Sequence, residues 1–137
     1  MSFRAILFHK QTTSARTRFL MFGHGSVCAF DCLPETAVVL SGRLPDPVIH
    51  PVVVLQALVD RYGFEREWLQ VEEGFRYAVK HGEEEIQIVL IAIATMDPPF
   101  ELAEQIDAKF VDLTQARGLP TAELELLRGA YELVLGG

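Results

Sequence analysis

The chain has 137 residues, of which half are hydrophobic and 23% are charged. Nineteen acidic residues against 12 basic ones give a formal net charge of −7, which argues against a general nucleic-acid or membrane-surface binder, because both need a basic face. The apolar fraction excludes a disordered chain, and the length suits one domain with its own core. We therefore expect residues 1–137 to form a single domain.

No segment of the sequence predicts a membrane span or a secretory signal. The longest apolar run, residues 89–96, is far shorter than the roughly 20 residues that a spanning helix needs. Near the start, charge returns after only a few apolar positions, which is not typical of a secretory leader. Two cysteines, Cys28 and Cys32, do not make a disulfide framework. We therefore expect a reduced, cytoplasmic protein.

The first part of the chain predicts three strands. Residues 3–10 form a short apolar run with high β-propensity, and the polar residues 11–17 predict a hairpin loop. Residues 18–32 predict a longer strand that two glycines interrupt. The β-branched run 36–41 predicts the third strand, and the three prolines within 42–51 exclude a regular helix or central strand there.

The spacing of the apolar residues then changes from that of a strand to that of a helix. From Pro51 to Tyr62 they recur every three or four residues, which predicts an amphipathic helix of about three turns that ends at Gly63. Residues 68–80 alternate as a strand does, and Gly74 within them indicates a bulge.

The strongest strand signal lies at residues 86–96, which are apolar on both faces. Such a strand belongs in the middle of a sheet that is covered on both sides. Residues 107–113 predict a last strand, and residues 121–135 predict a final helix with Glu123 near its positive end. The predicted order is therefore β-β-β-α-β-β-β-α, and one sheet with helices on opposite faces is its economical packing.

The loop and helix after the third strand resemble the signature box of the Nudix hydrolase superfamily. That box reads Gly, five residues, Glu, seven residues, then Arg-Glu-apolar-x-Glu-Glu-x-Gly-apolar. In a register anchored on Gly42, four of its scaffold positions match without a gap, namely Gly42, Leu58, Gly63 and Phe64. The strands and the helix that follow also have the family's order. The resemblance implies an α/β (α+β) fold, a Nudix-like α/β/α sandwich with a mixed sheet.

The positions that carry the family's chemistry mostly do not match. In the same register the family's loop Glu, its Arg, and its three helical Glu residues are replaced in order by Val48, Gln56, Ala57, Asp60 and Arg61. Nudix enzymes hydrolyse nucleoside diphosphate derivatives with Mg²⁺ or Mn²⁺ held by those carboxylates. A methyl group cannot bind a cation, and a guanidinium adds positive charge where the metal would lie. We therefore expect a degenerate box, no resident metal or other cofactor, and metal-dependent activity that is absent or crippled.

The favoured hypothesis is a Nudix-like protein that has lost its catalytic metal ligands and acts as a ligand-binding, regulatory or interaction module. Without the metal, the planar guanidinium of Arg61 suits direct contact with a phosphate or carboxylate, and a small phosphorylated molecule is the expected ligand. The candidate ligand-binding residues are Gln56, Asp60, Arg61, Glu72 and Glu73.

Two other functions stay open. The first is a Mg²⁺-dependent hydrolase of a nucleoside diphosphate derivative, with an atypical carboxylate set of Asp60, Glu72 and Glu73 and with Asp60 as the catalytic candidate. The second is a structural dimerisation domain, since nine Phe and many aliphatic residues are enough to leave an apolar patch. A homodimer is compatible with the favoured hypothesis as well.

Other groups of residues give weaker signals. Cys28 and Cys32 with His24 indicate a metal site only weakly, because zinc sites normally use tighter cysteine pairs, so structural cysteines are favoured. The first hairpin has four basic residues, which we expect to be exposed to solvent, namely Arg4, Lys10, Arg16 and Arg18. Residues 22–25 (FGHG) and residues 97–100 (DPPF) are similar to two amino-methyltransferase motifs, but the chain lacks that fold's alternating strands and helices.

Overall fold

The structure, a computed structural model, describes residues 3–40 and 49–136. Its strands and α-helices are, in chain order, β1 Phe3–Lys10, β2 Thr17–Phe22, β3 Cys28–Ala29, β4 Val38–Val39, α1 Pro51–Tyr62, β5 Leu69–Val71, β6 Tyr77–His81, β7 Glu84–Ile93, α2 Phe100–Gln105, β8 Ala108–Val111 and α3 Thr121–Gly136. Two short 3₁₀ helices cover Arg66–Trp68 and Leu113–Ala116. In the described part of the chain, we find no helix with the length and apolar character of a membrane span.

One mixed sheet joins the eight strands. Its order is β4-β6-β7-β1-β2-β8, with β3 also paired to β1 and β5 also paired to β7. Strands β1 and β7 are parallel, from Phe3 opposite Gln87 to Phe8 opposite Ala92, and the other pairs are antiparallel. The prediction of a central strand at 86–96 is confirmed, because β7 pairs with β1, β5 and β6.

The helices cover opposite faces of this sheet and create two cores. The first core lies under α1 and receives Val54, Leu55 and Leu58 from that helix. The second lies under α3 and receives Leu126, Leu127 and Ala130. Alternate residues of β7 divide between them, with Val89, Ile91 and Ile93 in the first core and Ile86, Ile88 and Leu90 in the second. The predicted α/β/α sandwich is therefore confirmed.

The number of elements differs from the predicted β-β-β-α-β-β-β-α order. The predicted strands at 18–32 and 68–80 are each divided in two, because glycine-containing segments leave the sheet between their halves. The predicted third strand at 36–41 is reduced to β4, and its last residue lies outside the described residues. Helix α2, which begins directly after Pro98 and Pro99, was not predicted from the sequence, although proline suits the start of a helix.

Helix α1 begins and ends where the sequence predicts. Pro51 is its first residue, and the N-cap His50 accepts a hydrogen bond at Nδ1 from the Val52 N–H, at 3.2 Å. Gly63 ends the helix at φ 83°, and its N–H donates to the Val59 carbonyl at 3.0 Å. Glycine suits this position because a side chain strains the left-handed backbone conformation.

Candidate functional site

The box-register residues of α1 are presented to solvent or packed at the helix side. Gln56 and Asp60 are one turn apart, both are exposed, and Gln56 Nε2 donates to Asp60 Oδ1 at 2.8 Å. Arg61 is exposed, and its guanidinium carbon lies 5.8 Å from the centroid of the Tyr62 ring. Ala57 is half-buried against the first core. Asp60 is thus hydrogen-bonded to the residue one turn before it.

The scaffold positions of the box register have a different environment. Leu58 and Phe64 are buried in the first core, at 0% and 2% exposure, and Gly63 ends the helix between them. Gly42 and Val48, the two loop positions of the register, lie outside the described residues. Of the four scaffold positions, the three within the described residues thus lie at the buried face or at the end of α1.

A five-residue excursion interrupts the strand pairing beside α1. Strand β5 ends opposite Ile91 of β7, and β6 begins opposite Ile88, so that residues 72–76 lie across from residues 89–90 alone. The predicted bulge at Gly74 falls inside this segment. Bulges of this kind are common next to binding sites, because they turn side chains away from the regular sheet.

The excursion forms one wall of a cavity of about 340 Å³ beside the first turn of α1, here named the excursion cavity. Its apolar lining consists of Ile49, Pro51, Val71, Phe75, Ile88, Val89 and Leu90. Its polar lining consists of His50, Glu72, Glu73, Arg76 and Gln87. A mostly apolar cavity of this volume with a few polar groups is the usual form of a small-molecule site.

Two hydrogen bonds from backbone N–H groups connect the walls of the excursion cavity. The Glu72 N–H donates to the Leu90 carbonyl at 2.9 Å, and the Ile49 N–H donates to Gln87 Oε1 at 3.4 Å. Glu72 is half-buried and Glu73 is exposed. Within residues 3–40 and 49–136, neither of these carboxylates is hydrogen-bonded, so both have acceptor capacity for a ligand.

The structure separates the five predicted binding residues into two groups. Glu72 and Glu73 line the excursion cavity, whereas the three residues on α1 do not. Asp60 is nine residues beyond Pro51, which corresponds to roughly 14 Å along a helix. The described residues include no group of three or more His, Cys, Asp or Glu side chains placed to hold a metal ion, so Asp60, Glu72 and Glu73 do not form one in this structure.

A second, more open cavity of about 750 Å³ lies at the ends of β1 and β7, below the last turns of α3. Glu72 lines it too, together with Lys10 and Leu133. Lys10 Nζ donates to the Val134 carbonyl at 3.2 Å, which places its charge at the negative end of the helix. Lys10 therefore has a structural role at the end of α3.

The two cysteines have the character of structural thiols. Burial raises the pKa of Cys28 to about 12, and it also raises the pKa of Cys32. A raised pKa disfavours the reactive thiolate, and Cys28 is fully buried in the second core. Cys32 Sγ lies 3.6 Å from the His24 carbonyl, and the His24 ring stacks on Phe22 with centroids 5.6 Å apart.

Two buried charged side chains were missed by sequence reasoning. Arg4 is only 6% exposed, and it donates to the carbonyls of Asp31 at 3.1 Å and Cys32 at 3.3 Å, so its predicted solvated position is wrong. Glu123 is 2% exposed and accepts from Ser26 Oγ at 2.8 Å. A signal for its burial existed, because Glu123 falls on the helical stripe of Leu126, Leu127 and Ala130.

Comparisons with known proteins give one informative result. No protein-family model matches the chain, and no curated protein matches it significantly. Among solved structures, the crystal structure of an Ap4A hydrolase from C. elegans is similar, with a TM-score of 0.58 and 12% identity over 98% of each chain. The chain has a Nudix-like fold. At this identity the likeness concerns the fold alone.

Proposed function

We propose that this Nudix-like protein is a ligand-binding or regulatory module whose box has lost its catalytic metal ligands. The observation that carries the proposal is the chemistry of α1, which keeps the bounds, buried face and terminal glycine of the box frame. In that frame Ala57 and Arg61 stand where the family register has Glu. The helix is thus retained as a scaffold without the set of carboxylates that the reaction uses.

The charges on α1 do not suit a divalent cation. Mg²⁺ requires near-octahedral oxygen coordination, of which Asp60 supplies one carboxylate that already accepts a hydrogen bond from Gln56. The guanidinium of Arg61 comes from the next residue along the helix and repels a cation bound at Asp60. A metal held firmly on this face would need several further oxygen ligands.

The excursion cavity is the favoured ligand site of this module. It is bordered by the first turn of α1, the excursion and β7, and hydrogen bonds from the backbone N–H groups of Ile49 and Glu72 connect these walls. Its volume suits a small molecule. Of the residues predicted from the sequence, Glu72 and Glu73 would contact that ligand.

A Mg²⁺-dependent hydrolase is the second candidate. The similarity in fold to an Ap4A hydrolase favours it. In this case Asp60, Glu72 and Glu73 would have to converge on a metal when substrate binds, since they lie apart in this structure.

One pair of assays distinguishes the two candidates. The full chain is incubated with Mg²⁺ or Mn²⁺ and with dinucleotide, ADP-ribose and nucleoside triphosphate substrates, and product release is measured; the same panel is screened by thermal unfolding. The proposal predicts no metal-dependent turnover and a higher melting temperature with a ligand that binds the native state. Turnover that Asp60→Asn abolishes would favour the hydrolase instead.

A structural dimerisation domain stays a prediction. The exposed large apolar side chains in the described residues belong to four elements and to the segment after β7, namely Val38, Val52, Val53, Met96, Phe100 and Leu135. Light scattering of the full chain tests it, and a stable dimer that responds to no ligand of the panel would support it.

A further inference from the structure

We propose that the excursion cavity binds its ligand through a planar cyclic amide, a ring in which a carbonyl oxygen stands beside an N–H group. The ligand's carbonyl oxygen accepts from the backbone N–H of Leu90, and the ligand's N–H donates to the Glu72 carboxylate. This inference rests on the proposed function, because it takes the excursion cavity as the ligand site. It concerns only the group inside the cavity, so it is compatible with a phosphate on another part of the same ligand.

The backbone pairing of Leu90 is incomplete on the side of the excursion. Its carbonyl accepts from the Glu72 N–H at 2.9 Å, so the polar backbone groups of Leu90 point toward the excursion. In a regular antiparallel pair the Leu90 N–H would donate back to the Glu72 carbonyl. That carbonyl instead accepts from the Phe75 N–H at 3.2 Å. Among residues 3–40 and 49–136, the Leu90 N–H has no acceptor within hydrogen-bond distance.

The position of Leu90 makes this donor available at the inner end of the cavity. The Leu90 side chain lies in the second core, so Leu90 lines the cavity through its backbone, whereas Glu73 in the same lining is exposed. The cavity thus has a buried inner end at Leu90 and an open rim at Glu73. Buried backbone N–H groups nearly always have an acceptor, because an unpaired one has lost water without compensation. An oxygen acceptor that enters the cavity would complete the pairing of Leu90.

The rest of the polar lining both donates and accepts hydrogen bonds. Gln87 accepts from the Ile49 N–H through Oε1 at 3.4 Å, which leaves Nε2 as a donor, and the guanidinium of Arg76 can only donate. The carboxylate of Glu72 is half-buried and can only accept. An uncharged amide pairs with both kinds of group. An oxyanion at the same place would be repelled by the Glu72 carboxylate.

The apolar lining on the α1 side of the sheet suits a ring. Val89 belongs to the first core, and Ile49 and Val71 are half-buried against it. Pro51 at the start of α1 extends this surface toward the rim. The volume of about 340 Å³ is sufficient for a single flat ring, which would lie on these side chains with its amide directed at Leu90 and Glu72.

Four small probes with similar rings test the proposal, namely 2-pyridone, N-methyl-2-pyridone, aniline and phenyl phosphate. The first carries the complete amide, the second lacks the N–H, the third lacks the carbonyl, and the fourth is an oxyanion. Each is titrated into the ¹⁵N-labelled full chain, and the amide shifts report both affinity and location.

We expect 2-pyridone to shift the Leu90 amide and those of residues 72–76, and aniline and phenyl phosphate to leave the Leu90 amide unchanged. N-methyl-2-pyridone should shift the same amides with roughly fivefold weaker affinity, since it cannot donate to Glu72. A Leu90 amide that does not respond to 2-pyridone, or that responds as strongly to aniline or phenyl phosphate, would overturn the proposal. Equal affinity for the two pyridones would overturn it as well.

A matched pair of variants tests the contact with Glu72. E72Q should weaken the binding of 2-pyridone by roughly fivefold, because the acceptor loses its charge, and should leave the binding of N-methyl-2-pyridone unchanged. The control E84Q makes the same change in charge at an exposed residue of β7 outside the cavity and should affect neither probe. The amide spectrum shows whether each variant is folded. Equal weakening by E72Q and E84Q, or of both probes by E72Q, would contradict the assignment.

The outcome also separates this inference from the proposed function. Metal-dependent turnover in the substrate panel contradicts the proposed function, whatever 2-pyridone does. A Leu90 amide that ignores 2-pyridone, in the absence of turnover, contradicts only the chemistry assigned to the cavity.

Discussion

The two faces of α1 are built under different constraints. The inner face places Val54, Leu55 and Leu58 in the first core, where they are at most 4% exposed. The outer face presents Gln56 and Asp60 to solvent, where they hydrogen-bond to each other. A close-packed core accepts few changes of shape, whereas an exposed helical position accepts most of them. The inner face of α1 is therefore constrained by packing, whereas the side chains of its outer face can change without disturbing the core.

The largest expected effect is on the inner face. Leu58→Ala removes a fully buried side chain from the first core and should lower the free energy of unfolding by about 2–5 kcal/mol. Denaturant unfolding measures this change. Gln56→Ala on the outer face is the matched control and should change stability by no more than about 0.5 kcal/mol. Equal effects of the two variants would contradict the distinction between the faces.

A substitution at the C-terminal end of α1 should lower the stability by a smaller amount. Gly63→Ala places a side chain on a residue at φ 83° and should destabilise the protein by about 1 kcal/mol. Crowding does not contribute, because the nearest atom to the added Cβ would be Leu102 Cδ1 at 3.9 Å. Gly118→Ala is the control, since its added Cβ meets nothing within 4 Å and its φ is not positive. If Gly63→Ala leaves the free energy of unfolding unchanged, the left-handed conformation at the end of α1 does not require glycine.

The smallest expected effect on stability is on the outer face. Asp60→Asn keeps a carbonyl oxygen that can accept the hydrogen bond from Gln56, so the free energy of unfolding should stay within about 0.5 kcal/mol of the original. Thermal unfolding in the presence and absence of Mg²⁺ provides the measurement. A stabilisation by Mg²⁺ that disappears in this variant would show that Asp60 binds metal, contrary to the proposed function.

Periodicity predicted the elements whose residues face a core. The bounds of α1 followed from Pro51, Gly63 and the spacing between them, and the central place of β7 followed from its two apolar faces. These signals are local, because the apolar or polar character of each residue follows from whether that residue is buried. They were sufficient for the sandwich and for the bounds of α1.

The candidate site was only partly predictable, because it depends on contacts between distant segments. Glu72 and Glu73 were named from the sequence, but the excursion that positions them arises because β5 and β6 pair with the same strand. Arg76 and Gln87 join the cavity through that pairing and have no signal of their own. The contact of Arg61 with a phosphate stays a prediction, and in the structure its guanidinium carbon lies 5.8 Å from the centroid of the Tyr62 ring.

A titration of the full chain with Mn²⁺, followed by electron paramagnetic resonance, tests the central claim most directly. The proposed function predicts that the signal of free Mn²⁺ grows in proportion to the added metal, because Asp60 alone on the outer face of α1 does not make a set of carboxylate ligands. A stoichiometric loss of the free-ion signal that Asp60→Asn restores would contradict it.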